Sequence, residues 1–223
     1  MIKTTLILPD VLSDDPQSVK LSSVFELYKS EALFFTDENE NFILSLLDGN
    51  AVLCGEVKES EELLPFLKAA GAKTVFLSAK NAEKAGFKDK KTVKVFKKTK
   101  NKDLNLKSDA LSSKEVYTML RSGGFSLPPY EYFAPDYCRR INHKKAALFA
   151  NLNECAAVGF LYKDICLING IVSFKKGGGR KAVDGLFCES KAEIMLACAE
   201  EKNSGFYEKC GFKAAGFCAY CNI

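Results

Sequence analysis

A chain of 223 residues with 47% apolar and 27% charged residues has ordinary globular composition and is long enough for one large domain or two small ones. Its net charge of +4 is too small to indicate a nucleic-acid-binding protein, and the excess lies in residues 101–223, as is typical of an anion-binding half. Because the sequence has neither an apolar run of membrane-spanning length nor a signal-peptide pattern, we expect a cytoplasmic protein that binds no membrane and no nucleic acid.

Residues 1–100 are predicted to form a mixed α/β unit. The strongest local signal is Asp48-Gly49, a dipeptide typical of tight hairpin turns, which stands between two apolar runs. Gly71 follows an amphipathic run and is expected to end a helix. The predicted elements are a helix over 19–28, a hairpin of 41–47 and 51–57, a helix over 59–70, a strand over 74–78, a short helix over 81–85 and a strand over 92–96.

Residues 101–113 are predicted to be a linker before a second unit over 114–223, because they are polar and nearly free of large apolar side chains. Ser113 is expected to cap the next helix, and Pro128-Pro129 to prevent that helix from continuing. The predicted elements are a helix over 114–121, a short helical piece over 137–141, a hairpin of 146–152 and 156–162, a strand over 165–174, a helix over 182–188, a strand over 194–198, a short helix over 204–210 and a strand over 216–221.

A glycine-rich basic loop follows the strand over 165–174 and opens a helix. It reads Lys175-Lys-Gly-Gly-Gly-Arg-Lys181. Glycine lets the backbone approach a ligand closely, and the start of the following helix offers unpaired N–H groups and the positive end of its dipole. The loop therefore favours a phosphate or pyrophosphate site, with an ordinary turn as an equal alternative from the loop alone. Its spacing fits neither a Walker loop nor a dinucleotide-binding fingerprint.

A second segment, Asn203 to Phe212, lies between the last two predicted strands. On its own it predicts a short helix with a glycine cap, in which Phe206 and Tyr207 are core residues. Taken in order, the strand, basic loop, helix, strand and this segment resemble the GNAT acetyltransferase superfamily. The residues that match the family's later segment are Asn203, Tyr207, Gly211 and Phe212.

The loop resembles the family's Arg/Gln-x-x-Gly-x-Gly/Ala signature with three departures, one of which is that it is a few residues shorter than usual and lacks the usual preceding Pro. Lys175 stands at the Arg/Gln position, which keeps the charge but not the forked geometry of arginine. Gly178 stands at the first glycine, and Arg180 replaces the second. The resemblance covers about half of the chain.

The resemblance implies an α/β (α+β) fold in which a mixed central sheet is flanked by helices. The strands over 165–174 and 194–198 would splay apart at the site of acetyl-CoA, the acyl donor. An amine acceptor, either a small molecule or a peptide, would attack the thioester directly, and Tyr207 would act as the general acid. The cofactor-binding residues that it implies are Ile171, Val172, Lys175, Lys176, Gly177, Gly178, Gly179, Arg180, Lys181, Asn203 and Phe206. No metal is implied. The general base stays open between Glu154 and a water relay.

Two alternatives stay open. The first is a catalytically inactive protein of the same fold that serves as an acyl-CoA sensor or as an interaction module. The second is a zinc protein that uses Cys210, Cys218 and Cys221, against our interpretation of all nine cysteines as reduced and mostly buried thiols. His143, the only histidine, is interpreted as an exposed or capping residue.

An internal repeat links the two halves. The sequence Glu83-Lys-Ala-Gly-Phe-Lys88 recurs as Glu208-Lys-Cys-Gly-Phe-Lys213, and each copy is preceded by a predicted strand and short helix. We therefore predict a duplicated architecture in which residues 1–100 are a degenerate GNAT-like half. This half has an acidic stretch, Glu59 to Glu62, and no basic glycine-rich loop, so we expect it not to bind CoA.

Overall fold

The computed structural model describes residues 2–8, 10–58, 60–100 and 105–223. The first part of the chain forms β1 (Ile2–Thr4), α1 (Pro16–Tyr28), β2 (Leu33–Asp37), β3 (Phe42–Leu47), β4 (Asn50–Gly55), α2 (Ser60–Ala69), β5 (Thr74–Ser78), α3 (Ala79–Lys84) and β6 (Lys90–Thr99). The later part forms α4 (Ser113–Ser122), α5 (Tyr130–Asn142), β7 (Ala146–Asn151), β8 (Cys155–Tyr162), β9 (Ile165–Ser173), α6 (Gly178–Ser190), β10 (Ile194–Ala199), α7 (Ser204–Lys209) and β11 (Lys213–Asn222). These helices and mixed sheets confirm the predicted fold class.

The described residues form two compact units that do not divide the chain at one point. The first unit contains the residues up to Phe96 together with Cys198–Gly205 and Ala214–Ile223. The second contains Lys97–Ala197 and Phe206–Lys213. The chain therefore returns to the first unit twice after leaving it. The predicted domains, residues 1–100 and 114–223 with a linker at 101–113, stay a prediction, and residues 101–104 of that linker lie outside the described ranges.

The first unit is a mixed sheet with a helix on each face. Its strands lie in the order β1-β2-β3-β4-β5-β11-β6, so a strand from the later part of the chain lies between two strands of the earlier part. β4 and β5 run parallel, whereas β11 is antiparallel to β5. Leu21 of α1 is buried with Ile43 on one face, and Leu63 of α2 is buried with Leu77 and Ala219 on the other. Ala219 and Cys221 of β11 thus complete a core whose other buried residues come from the earlier part of the chain.

The second unit repeats this arrangement over the strand order β7-β8-β9-β10. Val116 of α4 packs with Val172 on one face of its sheet. On the other face α6 lies so close that a Cβ atom on its Gly185 would be 2.3 Å from the Phe149 ring. Only glycine fits at a helix-to-sheet contact of this kind. α6 is thereby held against β7, β8 and β9.

The repeated Gly-Phe segments have the same local structure. Gly86 (φ 70°) and Gly211 (φ 86°) each adopt a left-handed conformation directly after a short helix. The following Phe87 and Phe212 are buried, and each donates its N–H to a carbonyl in the preceding helix. Each segment then leads into a long strand, β6 or β11. The predicted duplication is therefore present in the backbone as well as in the sequence.

Several element boundaries differ from the predicted ones. Ser112, not Ser113, caps α4, because its hydroxyl accepts from the Glu115 N–H while the Glu115 carboxylate accepts from the Ser112 N–H, a complete capping box. α5 is a helix of 13 residues rather than a short piece: it starts directly after Pro129, its N-cap, and continues through Pro135. β1 and β2 were not predicted.

No helix in the described part of the chain is long and apolar enough to cross a membrane.

We predict that Ala219→Asp destabilises the first unit selectively. Ala219 is fully buried in the core formed by residues of the earlier part of the chain, and a carboxylate there has no partner, which costs about 3 kcal/mol or more. Amide hydrogen exchange should accelerate in β3, β4 and α2 more than in β7 and β8. Ala215→Asp, at an exposed position of the same strand, is the control and should leave the amide exchange rates of both units unchanged. Equal loss of protection in both units would contradict the assignment of β11 to the first unit.

Candidate functional site

β9 and β10 part from each other midway along β9. They pair in parallel from Ile165–Ile194 to Ile168–Ala197, and the pairing ends there although β9 continues to Ser173. A bulge lies at the same level, because Ile168 faces Gly159 of β8 whereas Gly170 faces Val158. The bulge leaves Asn169 without a direct partner on β8 and bends β9 at this point. The edge of β9 beyond Ile168 is therefore the place where backbone groups can meet a ligand.

Ile171 and Val172 lie on this free stretch of β9. They pair with Ala157 and Ala156 of β8. In an antiparallel pair successive residues point their N–H and C=O groups alternately toward and away from the partner, so one of the two directs its backbone away from β8. The Val172 side chain is buried in the core under α4, while Ile171 is half-buried on the opposite face. A ligand at this edge could therefore contact the backbone N–H and C=O groups that point away from β8, and the Ile171 side chain.

The glycine-rich loop is largely the first turn of α6, which begins at Gly178, four residues before the predicted start. Gly177 is its N-cap and has a positive φ of 83°, a conformation that glycine adopts without strain. A Cβ atom on Gly178 would lie 2.6 Å from Ser173 Oγ, and one on Gly179 would lie 2.9 Å from the Phe206 ring. The turn is therefore packed tightly against β9 on one side and against Phe206 on the other.

Two N–H groups of this turn have no partner within the described ranges. The Gly178 N–H donates to the Lys175 carbonyl and the Lys181 N–H to the Gly177 carbonyl. Gly179 and Arg180 donate to no acceptor there, and Gly177 provides no side-chain cap. Unpaired N–H groups at the positive end of a helix dipole form an anion-binding site. The predicted phosphate site thus has free donors at the predicted place.

The four cationic side chains of the loop differ in what they contact. Lys175 and Lys176 are exposed. Arg180 is exposed and lies 3.6 Å from the Asp184 carboxylate, one turn further along α6. Lys181 donates to Glu154 at 2.9 Å, and this contact raises the pKa of the Lys181 ammonium. Three of the four cationic side chains therefore lie on the solvent side of the turn. The carboxylate of Glu154, which we considered as a general base, is bound to Lys181.

Asp184 is a charged residue that the sequence analysis did not single out. Its carboxylate accepts from Lys98 Nζ at 3.0 Å, and both side chains are less than a fifth exposed, at 15% for Lys98 and 18% for Asp184. The Lys98 ammonium also lies over the Phe187 and Phe212 rings. Asp184 thus links α6 to the strand that carries Lys98 and holds Arg180 near the loop. An acidic residue four positions after a loop arginine is the sequence signal that could have indicated this contact.

The structure brings the two predicted motifs together at Phe206 and Tyr207. The Phe206 ring packs over Gly179 of the loop and meets the Tyr207 ring edge-on at 5.1 Å. Tyr207 is half-buried and contacts the ring of buried Phe212 at 5.4 Å. Asn203 is exposed in the 3-10 turn before α7 and belongs to the first compact unit.

The corresponding turn of the first unit differs in its charge and in the hydrogen bonding of its N–H groups. It follows β4 as the basic loop follows β9, but its Glu56 N–H donates to the Asn41 carbonyl and its Val57 N–H to Asn81 Oδ1. α2 then begins with Glu61 and Glu62 in its first turn. Carboxylates at a helix start already complement the dipole and repel an anion. This supports the expectation that the first unit does not bind CoA through this turn.

The cysteines are all free thiols. Cys218 packs with Phe76 on one face of β11, and Cys221 packs with Leu77 on the other. Residues three apart in a strand point to opposite faces, so this pair cannot ligate one ion. Across the described residues no three His, Cys, Asp or Glu side chains converge as metal ligands, and the zinc alternative lacks the cluster that it requires. His143 is the exposed C-cap of α5, as interpreted from the sequence.

Comparison with known proteins identifies the fold. No protein-family model matches the chain, and no curated protein matches it significantly. Among solved structures, a GNAT-family acetyltransferase from Colwellia psychrerythraea covers 100% of this chain and 99% of its own at a TM-score of 0.54 and 14% identity. A proposed acetyltransferase from Pyrococcus horikoshii covers 100% and 89%, with a TM-score of 0.61 and 14% identity.

A third similar structure is a tandem GNAT protein from the clavulanic acid biosynthesis pathway. It covers 95% of this chain and 89% of its own, at a TM-score of 0.53 and 9% identity. At such identities the similarity establishes the fold alone. The chain has the GNAT fold, and its likeness to a tandem GNAT protein agrees with the repeat seen in its own backbone.

We predict that Lys98→Met destabilises the protein by about 1–2 kcal/mol, because it leaves the partly buried Asp184 carboxylate without its closest cation. The free energy of unfolding in urea measures the effect. Lys80→Met is the matched control: it breaks another 3.0 Å ion pair, with Glu56, whose side chains are 70% and 51% exposed, and it should cost less than about 0.5 kcal/mol. Similar losses in the two variants would show that Lys98 and Asp184 contribute no more than a surface pair.

Proposed function

We propose that the protein is an N-acyltransferase that moves an acetyl or other acyl group from acetyl-CoA to an amine acceptor by direct attack. The observation that carries this proposal is the pair of unpaired N–H groups at Gly179 and Arg180, within a glycine turn flanked by cations. The turn starts α6 directly after the stretch of β9 that has left β10. A GNAT fold with free phosphate donors at this place supports binding of a CoA thioester.

The residues of this chain fit such a ligand in three respects. The N–H groups of Gly179 and Arg180 would donate to a pyrophosphate, and Lys175 and Lys176 would add exposed positive charge beside it. The backbone of Ile171 or Val172 would bond the pantetheine amides along the free edge of β9. Phe206 would close the turn from the other side. The bound thioester would supply the activated acyl group, and the residues of this chain would orient it and donate a proton.

Tyr207 is proposed as the general acid. In direct transfer the acceptor nitrogen attacks the thioester carbonyl, and the thiolate that leaves needs a proton. The half-buried phenol of Tyr207, held between Phe206 and Phe212, would donate it. Asn203 is proposed to lie near the cofactor, and the acceptor is proposed to be a small amine or the amino group of a peptide. The general base stays unassigned.

The second candidate function is an acyl-CoA sensor that binds without transfer. The observation that favours it is the departure of the loop from the family signature at Lys175 and Arg180. The two candidates share the binding site and differ only in turnover, so binding and catalysis are tested separately.

We predict that Lys176→Glu weakens acetyl-CoA binding about tenfold or more, because it reverses an exposed charge beside the unpaired N–H groups. Isothermal titration calorimetry of the full chain measures the dissociation constant. Lys191→Glu makes the same change of charge at the far end of α6 and should leave the constant nearly unchanged. If the parent protein binds no acetyl-CoA at millimolar concentrations, both the enzyme and the sensor proposals fail.

We predict that Tyr207→Phe lowers kcat about 100-fold or more while the KM for acetyl-CoA changes little, because the phenolic proton is used only during transfer. A screen of amines that follows release of free CoA provides the assay. Phe212→Tyr serves as the control for added or lost hydroxyl groups in this aromatic cluster. Binding of acetyl-CoA without turnover of any amine by the parent would favour the sensor.

A further inference from the structure

The loop after α4 packs on the stretch of β9 that has left β10, and glycines and side chains alternate between the two surfaces. On the strand, Val172 carries a side chain and Gly170 does not. On the loop, a Cβ atom on Gly123 would overlap Val172 Cγ1. Opposite the other strand position, a Cβ atom on Gly170 would lie 3.3 Å from the Phe125 ring. Each glycine thus receives the side chain that faces it, and the Phe125 ring lies directly over Gly170.

The end of α4 fixes Phe125 in this place. Gly123 is the C-cap of the helix, and Gly124 follows with a positive φ of 92°. The Gly124 N–H donates to the Arg121 carbonyl at 3.0 Å, and the Phe125 N–H donates to the Leu120 carbonyl at 3.2 Å. These two bonds form a Schellman motif, in which the residue after the left-handed glycine packs back on the last turn of the helix. Phe125 accordingly packs on the core that contains Leu120.

The acyl end of a bound donor would lie at the level of Gly170, and in this respect the inference rests on the proposed function. The pyrophosphate would bind at the start of α6, beyond the end of β9, and the pantetheine amides would follow the free stretch of β9 backward. The gap between β9 and β10 closes at the Ile168–Ala197 pair. The donor can therefore run no further along the strand than Gly170 and the bulge beside it.

The donor would contact both faces of the sheet. α6 packs on one face, whereas α4 and Phe125 pack with Val172 on the other. A donor whose pyrophosphate binds at the α6 turn reaches the α4 face through the gap between the strands. The nearest side chain over Gly170 on that face is Phe125 at 3.3 Å, followed by Leu120 at 3.6 Å. The Phe125 ring is half-buried, so it packs on the core and still presents a surface to a ligand.

We propose that Phe125 limits the length of the acyl group, so that the donors of this protein are CoA thioesters of short acyl chains such as acetyl and propionyl. The ring covers the place where the acyl group would leave the strand gap. A longer chain has to displace an aromatic side chain that the helix end holds in position. Without the ring, the space over Gly170 is bounded by Leu120 and Val172 and is apolar. Each methylene that enters such a space strengthens binding about fourfold.

The test measures the dissociation constants of the full chain for free CoA, acetyl-CoA, butyryl-CoA and hexanoyl-CoA by isothermal titration calorimetry. We expect the parent to bind hexanoyl-CoA about tenfold or more weakly than acetyl-CoA, because the longer chain meets the Phe125 ring. Phe125→Ala should remove or reverse this difference. It should leave the dissociation constant of free CoA nearly unchanged, because free CoA has no acyl group to meet the ring.

Phe133→Ala is the matched control. Phe133 is another half-buried ring on the same core, but it packs against Tyr117 and Tyr137. Its loss should leave the preference for acetyl-CoA over hexanoyl-CoA unchanged. Phe125→Leu keeps an apolar side chain on the core and should give an intermediate preference. Far-ultraviolet circular dichroism verifies that each variant is folded.

The outcomes separate the role of Phe125 from the function on which it rests. If neither the parent nor any variant binds CoA or a thioester, the acyl-CoA site and the role of Phe125 are both refuted. If the parent and Phe125→Ala bind free CoA but depend on chain length in the same way, the role of Phe125 alone is refuted. The same conclusion follows if Phe133→Ala changes the chain-length preference as much as Phe125→Ala does.

Discussion

The close contact of α6 with the sheet beneath it is the constraint on which the candidate site depends. Gly185 allows the helix to meet Phe149, and Gly178 allows its first turn to meet Ser173 at the end of β9. Because side chains at these positions would overlap their neighbours, the helix start is fixed in position and direction. The unpaired N–H groups of Gly179 and Arg180 therefore have fixed positions. Donors that are already fixed lose little conformational entropy when they bind a ligand.

The two halves show how one architecture can carry turns of opposite local electrostatics. Each has a strand, a turn and a helix in the same order, and each ends its short helix with a left-handed glycine before a buried phenylalanine. In the second unit the turn is basic and its donors are unpaired. In the first, Glu56 and Val57 donate within the protein, and α2 starts with carboxylates. The electrostatic difference between the two turns therefore occurs within the same local fold.

Local patterns predicted most elements and the order of the two motifs, and their failures have physical causes. The helix before Gly71 and the hairpin at Asp48-Gly49 were right because their signals lie within a few residues. The start of α6 was misplaced because glycine disfavours helices intrinsically, whereas here tertiary packing overrides that preference. The contact of Asp184 with Lys98 joins distant parts of the chain, which no local pattern encodes.

The interleaved path of the chain has a consequence for biosynthesis. Residues 2–96 leave the ribosome long before residues 214–222, which supply the strand between β5 and β6. At about 5–20 residues per second, the first unit waits on the order of 10 seconds with two strand edges unsatisfied. During that interval the nascent sheet is a target for chaperones and for mispairing. Codon choice and chaperone supply should therefore affect the yield of this protein more than they affect a chain whose first domain is complete when it emerges.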